Sequence, residues 1–231
     1  MKKNIKKNIL IEGPSYQLRD IRKENKALDN AQINENDVLK YGTPRLKKTI
    51  NGTVLSLLTG GGGNSNYFHW MYDVLPRIEF CKQLNLFPSI DYFLFPNLDL
   101  RFQKESINCL NIHSNKILNA KKYRHFYCNK LIVTDHPYTI NNDAFNDSKN
   151  IPSWVVKWLQ NTFKQFQNFN NSKEKFYIER SDASFDSKIS RKITNENEIK
   201  NLLKENGYHM IKLSQLSFVD QINLFYNAKS I

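Results

Sequence analysis

His69 and Asp73 stand one helical turn apart in the run from Thr59 to Arg77, TGGGGNSNYFHWMYDVLPR. An imidazole and a carboxylate at that spacing serve either as a base with its orienter or as two polar contacts to a substrate. On a helix, Asn66, His69 and Asp73 (i, i+3, i+7) share one face, and Trp70, Val74 and Ile78 share another. Upstream, the four glycines Gly60 to Gly63 allow close approach of backbone to a ligand, and the helix behind them offers free N–H groups. Neither familiar nucleotide motif fits. Reading from Gly61, the last glycine of G-x-G-x-x-G falls on Asn66, and no Gly-Lys-Ser/Thr follows as a P-loop requires. The bland alternatives are a plain turn for the glycines and a structural role for the histidine. A His–Asp pair placed behind a glycine loop favours a site.

The elements that must position these groups follow from local pattern. Val54, Leu55, Leu57 and Leu58 mark a strand over 53–58, feeding the glycines. Asn64 and Ser65 are good N-cap residues for a helix starting near Asn66, and Pro76 should kink or stop it before it resumes to about Leu86. Ile90 to Phe95 reads as a buried strand, 101–111 as a helix, and Lys130 to Thr134 as another buried strand leading into Asp135, His136 and Pro137. Strand, helix, strand, helix, strand predicts a parallel sheet covered by helices on both faces. In such sheets ligands sit beyond the carboxyl ends of strands, where the glycine run and the Asp135–His136 pair both fall.

After the polar stretch Asn141 to Asn150, Pro152 opens a helix whose Trp154, Val155, Trp158, Leu159, Phe163 and Phe166 form a packing stripe. Lys175 to Glu179 is the next strand. Thr194-Asn195-Glu196 caps a helix over 196–205, Gly207 closes it, and Tyr208 to Leu213 is a strand. A helix over 214–228, capped by Ser214 or Ser217, precedes a strand beginning at Lys229. The chain thus divides into a polar lead-in over 1–40, a Rossmann-like unit over 41–150, a connecting helix and linker over 151–172, and a second unit over 173–231.

Forty per cent of the 231 residues are apolar and 13% aromatic, enough for a sizeable core. The formal charge of +12 suits anionic partners, but the Lys and Arg residues are scattered, and abundant Asn beside Lys fits an AT-rich coding sequence. A nucleic-acid binder would need clustered basic residues with interleaved aromatics or a recognisable module, and neither is found. Cys81, Cys109 and Cys128 are odd in number and form no C-x-x-C, which argues for a reducing compartment. The start MKKNIKKNILIEG is charged, but Ile9 to Ile11 is too short for a signal peptide, and no 18-residue apolar run occurs. These features point to a cytoplasmic protein whose basic surface can touch the inner membrane.

The run NYFHWMYDVLPRI resembles the signature of glycosyltransferase family 61, which reads close to N-Y-F-H-W-x-x-D-x-L-P-R. A second block, FYIERSDASFDSKISRKITNENEI with LSFVDQINLFYNAKSI, is similar to the family's later region: Arg180, Arg191, the Asn195–Glu196 pair, Gln221 and Ala228 fall in register. Glu179 departs from the small residue usual before that arginine. The resemblance implies a GT-B-like α/β fold of two Rossmann-like domains. It also implies an inverting, metal-independent transfer of sugar from a nucleotide-sugar donor to a glycan acceptor, in surface or capsular polysaccharide synthesis. No Asp-x-Asp is present; Asp143/Asp147 and Asp182/Asp186 are four apart. Arg180 and Arg191, with Asn195 and Glu196, would hold the donor, since guanidinium groups bind a diphosphate bidentately and stay charged. Gly62, Gly63, Asn66 and Arg77 would shape the acceptor side. Asp73 or His69 would be the base, with Asp73 preferred because it lies deeper after the kink. The family's Gly-x-His-Gly-Ala segment would follow Ile231, so the C-terminal domain is expected to be incomplete. The alternative is a truncated, non-catalytic relative that binds a nucleotide or glycan.

Overall fold

The computed structural model describes residues 18–19, 27–28, 46–59, 65–138, 144–169, 174–179 and 193–231. These fall into two units: 1–100 with 112–159, and 101–111 with 160–231. Ahead of the first sheet, Leu18–Arg19 pairs antiparallel with Ala27–Leu28.

The first unit is built on four strands: β1 (Lys48–Ser56), β2 (Tyr92–Phe95), β3 (Ile117–Asn119) and β4 (Phe126–Val133). All neighbours run parallel, in the order β3-β2-β1-β4. From β1 the chain moves outward to β2 and β3, then returns to the other side of β1 as β4. β1 and β4 are therefore neighbours that are not consecutive in the chain, and their carboxyl ends lie side by side, where parallel sheets of this kind commonly hold a ligand. β1 and β4 begin earlier than their apolar cores suggest. Three-residue β3 carries too little pattern to stand out in sequence.

A bulge between Ile50 and Thr53 gives β1 one residue more than β4. Gly52 occupies it, and a Cβ there would lie 2.8 Å from Asp91 Oδ2. That close approach lets Asp91 Oδ2 accept the Thr53 N–H at 2.7 Å while the Asp91 N–H donates to the Thr53 carbonyl at 3.0 Å.

One sheet face packs Leu55, Leu57, Phe93 and Phe95, all buried, with Trp70 set 5.6 Å from Phe95 ring to ring. The other face carries Ile50, Val54, Leu94 and Leu118. A helix on each face was expected, yet residues 120–125, which join β3 to β4, contain none. Instead, Ala120, Tyr123 and Phe126 pack directly on the Ile50–Val54–Leu94–Leu118 face. A crossing of six residues is too short to form a helix and still reach the far side of the sheet. After the short α4 (Ala144–Asp147), helix α5 (Ser153–Phe163) carries the expected stripe, with Val155, Trp158 and Phe163 buried. Its Trp158 indole N–H donates to Glu79 Oε2 at 2.9 Å, and Trp154 meets Phe80 at 5.3 Å.

The second unit has three parallel strands in the order β6-β5-β7: β5 (Glu174–Ile178), β6 (Tyr208–Ile211) and β7 (Ala228–Ser230). Helix α6 (Glu196–Glu205) has the expected bounds, with Asn195 at its N-cap position but making no side-chain capping bond, and Gly207 at φ +77° after it. Helix α7 (Phe218–Asn227) starts later than expected, because Ser217 and Asp220 form a reciprocal capping box. Helix α3 (Arg101–Cys109) belongs to this unit: Glu105 Oε2 accepts the Phe218 N–H at 2.6 Å. Phe163 meets Phe218 edge-on at 5.0 Å. The two units are thus both α/β with parallel sheets.

Candidate active site

Beyond β1 the chain enters a short helix α1 (Tyr67–His69) that continues into a π-helical turn, Trp70–Val74. Asn66 caps it, its side chain accepting the His69 N–H at 3.4 Å, one residue past the expected Asn64 and Ser65. In the π turn the Leu75 N–H reaches back five residues to the Trp70 carbonyl at 3.1 Å. Pro76, which has no N–H to donate, closes that turn and starts helix α2 (Arg77–Gln83). Single π turns of this kind recur at functional sites because they re-aim side chains without ending the helix.

The turn buries Trp70, Val74 and Ile78 against the core as the 3.6-residue spacing requires. It also brings His69 and Asp73 together: Nδ1 of His69 lies 2.7 Å from Asp73 Oδ2. Asp73 is buried, its side chain 7% exposed, whereas the His69 side chain is 37% exposed. From the carboxyl end of β4 come two further partners. The Tyr138 hydroxyl donates to Asp73 Oδ1 at 2.7 Å, and His136 Nε2 stands 3.5 Å from Asp73 Oδ2. His136 Nδ1 accepts the Tyr138 N–H at 3.4 Å, which leaves the imidazole proton on Nε2, facing the carboxylate. The rings of His136 and Tyr138 meet edge-on at 4.5 Å.

Both Asp73 oxygens are therefore engaged from two elements. Burial alone would raise the carboxyl, but donation from His136, His69 and Tyr138 outweighs it and holds Asp73 down at about 2. Asp73 is ionised at any neutral pH. His69 moves the other way: its bond to Asp73 raises it above the ordinary imidazole value, burial opposes this, and the carboxylate charge adds to the rise. With Nδ1 turned to Asp73, the His69 Nε2 makes no hydrogen bond to any described residue. Burial raises Tyr138 first, then the neighbouring carboxylate, so its hydroxyl stays a donor.

Arg77 is buried at 5% exposure. Its Nε donates to the Asp73 carbonyl at 2.9 Å and a terminal nitrogen to the Leu58 carbonyl at 3.0 Å. Burial lowers its pKa, opposed by Asp73 and Asp135. The guanidinium thus ties the π turn to the end of β1, just ahead of the glycine run.

Of the other residues singled out in the sequence, Gly62, Gly63, Arg180 and Arg191 lie outside the described residues. Asn66 is a cap. Asn195 occupies the N-cap position of α6, its amide 3.5 Å from Glu198 Oε2. Glu196 accepts the Tyr177 hydroxyl at 3.3 Å and lies 3.5 Å from Lys200, which pairs with Glu179 at 3.2 Å. Gln221 donates to the carbonyls of Leu213 and Leu216. Tyr138 was missed in the sequence. Its only signal was its place two residues beyond the Asp135–His136 pair, at the end of a buried strand. Among the described residues, no group of three His, Cys, Asp or Glu side chains is placed to hold a metal ion. No described helix is long and apolar enough to cross a membrane.

The family model described as Glycosyltransferase 61 matches residues 67–231, from the first residue of α1 onward. No curated protein matches the chain. No solved structure matches it either.

Proposed function

The chain belongs to the glycosyltransferase 61 family, and from that premise we propose that it transfers a sugar from a nucleotide-sugar donor to a hydroxyl of a glycan acceptor, with inversion, using His69 as base. The observation that carries the reading is the contrast between the two halves of the His69–Asp73 pair. Asp73 is buried, and each of its oxygens already meets a neighbouring side chain, so it is the less accessible of the two to a substrate. His69 is part-exposed, and the proton on its Nδ1 is fixed by Asp73, which leaves Nε2 as an acceptor. This reading takes the other of the two candidates that the sequence offered: the deeper residue serves as the orienter and the shallower one as the base.

In this mechanism His69 Nε2 removes the proton from the acceptor hydroxyl as its oxygen attacks the anomeric carbon. The bond to the nucleotide diphosphate breaks on the opposite side. The imidazolium formed is stabilised by the ionised Asp73 directly behind it. Arg180 and Arg191 neutralise the departing diphosphate, the role for which bidentate, permanently charged groups are suited. Metal independence and a role in capsular polysaccharide synthesis belong to the same proposal on the family resemblance, and a cytoplasmic place at the inner membrane belongs to it on the chain's composition and charge.

Thermal unfolding of the chain against a panel of nucleotide sugars and nucleoside diphosphates tests the donor half. A ligand at 100 times its dissociation constant adds roughly 2.7 kcal/mol of stability. The expected result is a rise in melting temperature with one nucleotide, lost in Arg180→Ala and Arg191→Ala and kept in His69→Ala. A cooperative melt unmoved by every nucleotide would count against the reading.

A further inference from the structure

We propose that Tyr138 and His136, contributed from beyond β4, are positioning residues that lock the Asp73 carboxylate so that His69 carries its proton on Nδ1 and presents Nε2 as an acceptor. The inference rests on His69 being the base. It adds two residues outside the His69–Asp73 motif.

A carboxylate on a helix turn can rotate, and either of its oxygens can serve a neighbouring imidazole. Here rotation is restrained from both sides. Tyr138 holds Oδ1 with an O–H at 2.7 Å, and Tyr138 is itself buried at 3% exposure. His136, its side chain 10% exposed, turns Nε2 toward Oδ2 because its Nδ1 is committed to the Tyr138 N–H. Oδ2 is left facing His69 Nδ1 at 2.7 Å. The other charged groups near Asp73 do not compete for these oxygens. Arg77 bonds the Asp73 backbone carbonyl rather than its carboxylate, and the Asp135 carboxylate accepts the His136 N–H.

The consequence is a choice of tautomer. Free neutral imidazole prefers its proton on Nε2, which would make His69 a donor toward the substrate and useless as a base. A fixed acceptor at Nδ1 reverses that preference. A loosened acceptor returns part of the population to the unproductive form. The topology makes this possible, because β1 and β4 are neighbours and end side by side. The helix after one carries the dyad, and the segment after the other carries its brace.

The test is nitrogen NMR of the full chain with labelled histidine, titrated upward until the His69 signals stop moving, where the neutral ring reports its tautomer directly. In the native chain the Nδ1–H form should dominate. Tyr138→Phe keeps the ring and removes only the donor. His136→Leu removes the second donor, and His136→Gln returns an amide N–H where Nε2–H stood. Tyr138→Phe and His136→Leu should each cut the ratio of Nδ1–H to Nε2–H by roughly tenfold, about one hydrogen bond's worth, and His136→Gln should restore it. A native-like His69 tautomer in both Tyr138→Phe and His136→Leu overturns the proposal, whatever transfer shows. Conversely, transfer that survives His69→Ala while Tyr138→Phe still shifts the tautomer sinks the base reading and leaves the brace standing.

Discussion

Replacing Asp73 with Asn removes the charge at the centre of the site while keeping the size of the side chain. The folded carboxyl lies at about 2 against a reference of 3.8, held down by donors that the unfolded chain lacks. At 1.36 kcal/mol per unit, that depression corresponds to about 2 kcal/mol of stability. Because the folded value is lowered, the contribution is complete above pH 3.8 and disappears as pH falls through about 2. His69 adds a term of opposite sense. Its folded value is raised by Asp73, so its contribution is complete below 6.5 and is lost as pH climbs through the folded value. The stability difference between the native chain and Asp73→Asn should therefore be bell-shaped, largest between about pH 4 and 6.5. Urea unfolding at a series of pH values measures it. All three tryptophans, Trp70, Trp154 and Trp158, lie in the first unit, so their fluorescence follows the unit that holds the site. A difference that stays flat from pH 2 to pH 8, or no difference near pH 5, would refute the assigned electrostatics.

Arg77→Lys keeps the charge but cannot span both the Asp73 and the Leu58 carbonyls. It should lower stability by about 2 kcal/mol, the cost of leaving a buried acceptor unmet, and an unchanged melting temperature would show that the clamp is not structural. Gly52→Ala forces a methyl to within 2.8 Å of Asp91 Oδ2 and breaks the bond from the Thr53 N–H. The urea midpoint should fall by the equivalent of about 1–3 kcal/mol, and a midpoint equal to that of the native chain would contradict the bulge account.

Much of the site's frame was legible in the sequence because it rests on local signals. The spacing of His69 and Asp73 survives the π turn, since both residues sit within one turn and the apolar residues Trp70, Val74 and Ile78 anchor the opposite face. The bounds of α6 and the Gly207 stop rest on short-range pattern, and they fell in place, although Asn195 makes no side-chain capping bond. The carboxyl ends of β1 and β4 were both marked as site ground, from their apolar runs and the polar residues that follow. What the sequence did not carry was non-local. Nothing in the pattern says that Tyr138 reaches Asp73 across 65 positions, nor that residues 120–125 replace a helix on one sheet face. The spacing did place Asp73 deeper than His69, as the structure has it. It carried no sign of the partners that Tyr138 and His136 bring to the carboxylate from beyond another strand. Likewise α3 reads as part of the first unit in chain order, and only its contact with α7 assigns it to the second.

The most direct test of the central claim is the pH dependence of sugar transfer by the native chain beside His69→Ala, with the donor that the thermal panel identifies. If Nε2 of His69 is the base, the native rate should be low where the imidazole is protonated and rise to a plateau above its raised folded value. His69→Ala should lose about 10²–10⁴-fold in rate at the plateau, lose the pH step, and still be stabilised by the donor nucleotide. A variant that transfers sugar at the native rate, or keeps the same pH step, would contradict the account.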